Sequence, residues 1–160
     1  MEKIKSFQVD HRVLKKGVYV SRIDGDIVTY DLRFCHPNTG VLLDNSTIHT
    51  VEHMLATYLR NSEIKDEIIY FGPMGCQTGF YMLIRDKIGH NRVLEVLKDV
   101  LSKTIEYDGE VFGYSEIECG NYKNLDLNKA KKACKDYLEI IKNITEIIDY
   151  DEVNKRAVNI

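Results

Sequence analysis

Two imidazoles and a carboxylate in Ile48-His49-Thr50-Val51-Glu52-His53-Met54 have the spacing in this chain best suited to chemistry. On a 3.6-residue period His49 and His53 share a helical face, so two nitrogens reach one metal ion, with Glu52 beside them to move a proton or support a ligand. Paired surface histidines give the same pattern, so the rest of the chain has to supply a third ligand and a reaction. Cys119, in Glu118-Cys119-Gly120-Asn121-Tyr122, offers a thiolate that completes a tetrahedral His, His, Cys set with one open position; alone it also reads as a buried thiol. Cys76 follows Gly72-Pro73-Met74-Gly75, where glycine permits a sharp backbone path and close ligand approach, or a turn with a buried cysteine.

A Lewis acid with two separate proton carriers suits an isomerase or lyase: the metal polarises a carbonyl or hydroxyl, and Glu52 and Cys76 move protons on different carbons or faces. A zincin peptidase would use the same histidines. Here, however, the glutamate immediately precedes the second histidine instead of following the first, and the chain is short for a peptide cleft. A purely structural metal is the third possibility, and it leaves Cys76 without a task. Ser6 and His11, close together in Ser6-Phe7-Gln8-Val9-Asp10-His11, lack the Gly-x-Ser-x-Gly elbow of a serine nucleophile.

These residues need elements to hold them. Residues 4–11 alternate loosely, as a first strand would. Two strands, Gly17–Ile23 and Ile27–Phe34, flank the hairpin turn Asp24-Gly25-Asp26 and end near Arg33. The polar run Asp44-Asn45-Ser46-Thr47 offers caps for a helix over about 47–60, with Ile48, Val51, Leu55, Tyr58 and Leu59 as its packed stripe. Short strands follow at 68–71 and 80–84, a helix at 91–101, and a strand over 110–122. Asp126 caps a helix reaching about Ile147, whose apolar face includes Cys134; the closing stretch 149–160 is mixed and expected to be less ordered. The order predicts an α+β fold, a largely antiparallel sheet packed against helices in a compact single domain spanning 1–160.

With 160 residues, 44% apolar and 29% charged, the chain has enough core without staples. A net charge of -3, from 22 basic and 25 acidic side chains, gives no field for nucleic acid or a polybasic membrane anchor. No segment approaches the roughly 18 to 20 apolar residues of a membrane span, and the start shows no signal-peptide pattern, so a cytoplasmic location is expected. Cys35, Cys76, Cys119 and Cys134 are too dispersed for a metal knuckle and should be thiols in a reducing compartment.

Taken together, Ser6-Phe7-Gln8-Val9-Asp10-His11, Asp31-Leu32-Arg33-Phe34, Pro37-Asn38, His49-Thr50-Val51-Glu52-His53, Gly72-Pro73-Met74-Gly75-Cys76 with Thr78-Gly79-Phe80-Tyr81, and Glu118-Cys119-Gly120-Asn121-Tyr122 resemble the S-ribosylhomocysteine lyase family, also called the autoinducer-2 synthesis protein family. The resemblance implies one divalent metal per subunit on His49, His53 and Cys119, with iron(II) native and zinc or cobalt able to substitute. It also implies Glu52 and Cys76 as the acid/base pair, and Ser6, His11 and Arg33 around a small-molecule substrate. A homodimer with active sites at its interface comes with the same resemblance, as does the cleavage of S-ribosyl-L-homocysteine. That reaction links recycling of a methyl-cycle by-product to formation of an autoinducer-2 precursor used in quorum sensing. A metal-dependent isomerase or hydro-lyase for another phosphate-free sugar derivative, and a metal-stabilised interaction protein without turnover, stand as the other readings.

Four residues at three places depart from the family pattern. His36 stands where glutamine is common, Gln77 where arginine is frequent, and Asn124-Leu125 where an Asp-His pair is often seen. They bear on supporting contacts, interface and affinity more than on reaction class. His36 reads as a surface substitution or a polar contact near Arg33.

Overall fold

Alternating apolar residues in 17–34 and 79–85 build the middle of a sheet, and the sheet decides which side chains face the chemistry. The computed structural model describes residues 1–158. Strands β1 (Gly17–Asp24) and β2 (Ile27–Arg33) form the hairpin; helix α1 (Asn45–Arg60), β3 (Ile68–Pro73), β4 (Gly79–Arg85), α2 (His90–Glu106), α3 (Leu127–Ile141), β5 (Ile148–Asp149) and α4 (Tyr150–Val158) follow. The sheet runs β3-β4-β2-β1-β5. All neighbours are antiparallel except β5, which lies parallel to β1 at Tyr19 and Val20. The architecture is the α+β arrangement that the sequence pattern predicts.

Because side chains alternate along a strand, Val18, Val20, Val28, Tyr30, Leu32, Phe34, Phe80, Met82 and Ile84 join one core with the buried stripes of α1, α2 and α3. The other face carries Tyr19, Asp31 and Tyr81 side by side, since Asp31 is in register with both of its tyrosine neighbours. This second face is covered by the amino-terminal segment and α4 through Val9, Leu14, Tyr150 and Val153. Gly79 permits the β2–β4 approach: a Cβ there would lie 2.1 Å from the Leu32 carbonyl oxygen.

Helix α1 begins under Asp44, whose carboxylate accepts from the Thr47 backbone N–H at 2.8 Å. Its buried residues Ile48, Thr50, Val51, Met54, Leu55 and Leu59 pin one side, which leaves His49, Glu52 and His53 along the half-buried margin. The Thr47 contacts, aided by Lys129, hold the Asp44 carboxyl down from 3.8 to about 2. Since the folded value lies below the unfolded one, the cap contributes fully above about pH 4 and is lost as pH falls toward 2. Asp44→Ala is therefore expected to cost about 1 kcal/mol near neutrality, with the gap between mutant and parent shrinking in acid. Urea unfolding at several pH values checks this, and a pH-independent gap would sink it.

Four expectations need correction. Residues 4–11 form a 3-10 turn at Lys5–Phe7 and further turns, not a strand. The stretch 110–121 is turns, bends and irregular backbone, and Tyr122 opens a 3-10 turn: Val111, Phe112, Tyr114 and Tyr122 pack on Met54 and Leu125, an aromatic cluster that uses strand-like residues without a sheet edge. Helix α3 stops at Ile141 instead of Ile147, and the freed carbonyls of Lys142 and Ile144 accept from the Lys98 ammonium. The closing stretch, as far as residue 158, is the ordered β5 and α4; residues 159–160 lie outside the described part. Among the described residues no helix is long and apolar enough to cross a membrane.

Cys134 is fully buried in the core, and burial pushes its thiol up to about 12, as a packing role requires. All four cysteines are free thiols.

Candidate active site

The turn of α1 that presents His49 and His53 meets the loop carrying Cys119, and their donor atoms lie within 4.8 Å of one another. Cys119 Sγ is 3.3 Å from His49 Nε2. A tetrahedral ion with bonds of about 2.1 Å to nitrogen and 2.3 Å to sulfur separates such donors by about 3.6 Å, so the cluster is a donor set fit for one metal ion. Each ring is oriented from behind. His49 Nδ1–H donates to Asn124 Oδ1 at 2.5 Å and His53 Nδ1–H to the Phe112 carbonyl at 2.7 Å, which leaves both Nε2 lone pairs for a ligand role. The Asn121 backbone N–H donates to the Cys119 sulfur at 3.5 Å.

Gly113 explains why the loop approaches so closely. Its φ is +74°, and a Cβ at that position would stand 3.1 Å from His53 Nδ1, so a side chain would be both strained and in the imidazole's way. Glu52 shares a cleft of about 790 Å³ with the three donors, Gly113 and Glu118. Glu118 is itself held by the Ser115 hydroxyl at 2.6 Å.

A second polar group forms on the far face of the sheet around Cys76. Arg33 and Asp31 sit two apart on β2, hence on one face, and both are buried. The guanidinium grips the carboxylate with Nε at 3.1 Å and Nη2 at 2.5 Å, while its Nη1 donates to Thr78 Oγ1 at 2.7 Å and stands 3.8 Å from Cys76 Sγ. The sulfur and Thr78 Oγ1 are 3.0 Å apart. Cys76 thus has an exposed thiol with a fixed positive charge and a hydroxyl at its side. The turn that exposes it runs through Gln77 at φ +62°, a conformation uncommon outside glycine. Gln77 ties this turn to the loop before α1: its carbonyl accepts from Leu43 N–H at 2.9 Å and its amide donates to the Leu43 carbonyl at 3.3 Å.

Ser6 and His11 belong to the far face. Ser6 lines a 440 Å³ concavity with Tyr81, Tyr70 and Thr29, while His11 Nδ1–H donates to the Val9 carbonyl at 3.0 Å. Within one chain the structure therefore joins His49, His53, Cys119 and Glu52 in one group, and Arg33 with Cys76 in another. No hydrogen bond connects the groups, and Cys76, Arg33, Ser6 and His11 do not line the metal-side cleft.

Comparison with known proteins matches the family model of S-ribosylhomocysteinase (LuxS) to residues 4–147. The chain belongs to that family. Its relatives include the S-ribosylhomocysteine lyases of Desulfotalea psychrophila, 43% identical over 91% of this chain and 96% of the relative, and of Finegoldia magna, 40% identical over 90% and 94%. That of Borrelia garinii subsp. bavariensis is 41% identical over 91% and 96%. These relatives are carbon–sulfur lyases, and this S-ribosylhomocysteinase family member is accordingly an enzyme of that class.

Two departures from the family pattern acquire roles. Asn124 accepts from His49 Nδ1–H with a neutral amide where a carboxylate would be charged, and its amide nitrogen is fixed by Asn45 Oδ1 at 2.6 Å. Gln77 latches the Cys76 turn. His36 is exposed, as a surface substitution would be. The sequence assigns no role to Asp31 or Thr78 and marks Asn124 only as a departure that bears on supporting contacts. A two-residue spacing signals the first against Arg33 and the second against Cys76, whereas the Asn124 contact spans 75 residues and left no local signal.

Proposed function

We propose that this protein cleaves S-ribosyl-L-homocysteine to L-homocysteine and 4,5-dihydroxy-2,3-pentanedione. The observation that carries the reading is the pre-oriented His49, His53 and Cys119 cluster with Glu52 on the same cleft, in a member of this family. A divalent metal held there, iron(II) by preference with zinc or cobalt as substitutes, supplies Lewis acidity toward the sugar's carbonyl and hydroxyl oxygens. The chain's own residues then move protons.

The open-chain aldose loses its C2 proton and regains one at C1, which shifts the carbonyl to C2; the same exchange from C3 to C2 shifts it to C3. Removal of the C4 proton expels homocysteine, the C5–S electron pair leaving with sulfur, and the C4–C5 enol ketonises to the product. Glu52 and Cys76 are the two carriers, because both can donate and accept and they belong to separate polar groups. No net oxidation occurs. Arg33 orients Cys76, and Ser6 and His11 contact the substrate.

The two groups stand apart in one chain, which supports a homodimer whose sites take the metal and Glu52 from one copy and Cys76, Arg33, Ser6 and His11 from the other. Exposed Ile4, Phe7 and Tyr70 give the far face apolar surface for such a contact. The free thiols suit a reducing, cytoplasmic setting. The product also serves as an autoinducer-2 precursor in this reading.

Anaerobic incubation of the iron-loaded protein with S-ribosylhomocysteine is expected to release free thiol and dicarbonyl in equal amounts, from a species that sediments as two chains. Neither product appearing with the metal site filled would reject the lyase reading.

A further inference from the structure

Helix α4 begins at Tyr150, beyond the residues that the family model matches, yet it reaches into the Cys76 group. The Tyr150 hydroxyl, buried against the sheet, donates to Asp31 Oδ2 at 2.5 Å. Arg33 Nη2 is bound to that same oxygen, also at 2.5 Å. The other guanidinium nitrogen, Nη1, faces Thr78 Oγ1 and Cys76 Sγ. A single line of contacts thus runs from the carboxy-terminal helix through Asp31 and Arg33 to the exposed thiol. Burial and the Asp31 charge push the phenol far up, which keeps it a neutral donor at any pH at which the protein works. The helix is fixed in register by Asn154, which accepts from Asp10 N–H at 2.9 Å and donates to the Gln8 carbonyl at 3.0 Å.

We infer that Tyr150 is a positioning residue for Cys76: by sharing Asp31 Oδ2 with Arg33, its hydroxyl sets how far the guanidinium extends toward Thr78 and the sulfur. The physical reason is competition for one acceptor. While the phenol donates, part of the carboxylate's charge is spent on it, and the guanidinium divides its donors between Asp31 and the Thr78–Cys76 side. Without the phenol that oxygen turns wholly to Arg33, which draws the guanidinium back along the sheet and weakens its hold on the thiol. A helix that only covered the sheet would need the tyrosine ring and no hydroxyl.

Tyr150→Phe keeps the ring and removes one oxygen. In the metal-loaded protein at neutral pH, alkylation of Cys76 by iodoacetamide, followed on its tryptic peptide by mass spectrometry, is expected to slow about threefold or more in Y150F, with the fold retained and the melting temperature lowered by several degrees. Turnover should show a matching fall in kcat without a rise in KM. Val153→Ala loosens the same helix without touching the hydroxyl, and it should alkylate at the parent rate. A folded Y150F that alkylates as fast as the parent would overturn the inference, as would V153A slowing as much as Y150F. The inference uses the lyase reading only for kcat: absence of turnover in the parent protein would reject that reading, while the alkylation comparison would still decide the role of Tyr150.

Discussion

Cys76→Ser is expected to bind metal and fold as the parent does while losing about two to four orders of magnitude in turnover, the usual weight of a positioned acid or base. The expectation follows from separation: Cys76 makes no contact with His49, His53 or Cys119, and its neighbours Arg33 and Thr78 hold it from the opposite face of the sheet. A serine hydroxyl keeps the hydrogen bond to Thr78, but it gives up a proton far less readily than a thiol. Metal content and homocysteine release measured on the same sample test this, and turnover at the parent rate would remove Cys76 from the mechanism. The variant also tests the shared site. Mixed with His49→Ala under conditions of chain exchange, it should recover about a quarter of the parent activity, because half the dimers are mixed and one of their two sites is intact. No recovery would place both halves of the site in one chain.

Asp31→Ala should produce the largest loss of stability, about 3–5 kcal/mol in denaturant unfolding. Asp31 is fully buried and accepts from Arg33 twice and from Tyr150 once, so its removal strands a guanidinium that is only 2% exposed. Such a loss is a large share of the 5–15 kcal/mol that holds a typical domain. The double variant Asp31→Ala with Arg33→Met deletes the stranded charge as well and is expected to recover much of the loss. A cost below about 1 kcal/mol for the single change would show that water reaches Arg33 once its partner is gone.

Much of this was legible in the sequence, and the pattern of success follows the range of the interactions. The hairpin, α1 and the His49-x-x-Glu52-His53 face could be read because their periods of 2 and 3.6 are local. Cys119 could be matched to the histidines by ligand chemistry, although the structure of its loop could not. That loop, 110–122, carries the valine, phenylalanine and tyrosines of a strand; only packing on Met54 and Leu125 reveals that they form a satellite cluster. The amino-terminal turns and α4 were missed because each is stabilised by the other and by the sheet face between them, through Asn154 and the Val9, Leu14, Tyr150 and Val153 cluster. Arg33 stood out by resemblance and Asp31 lies two residues before it on one strand, but its reach to Thr78 depends on cross-strand register, and Tyr150 joins from 119 residues away.

The two ends of the sheet constrain how copies of this chain can meet. On one side β5 offers two residues, and on the other β3 carries a register shift between Ile68 and Tyr70 and ends at Pro73, which has no N–H to donate. Neither border is a good template for adding a foreign strand, so open-ended growth into fibres by backbone pairing is disfavoured at both. Contact between copies is left to side-chain surfaces, for which a finite, symmetric contact is the common outcome. For the homodimer proposed above, that restriction favours a contact through faces, since a copy attached by its edge would bring no second polar group to the first.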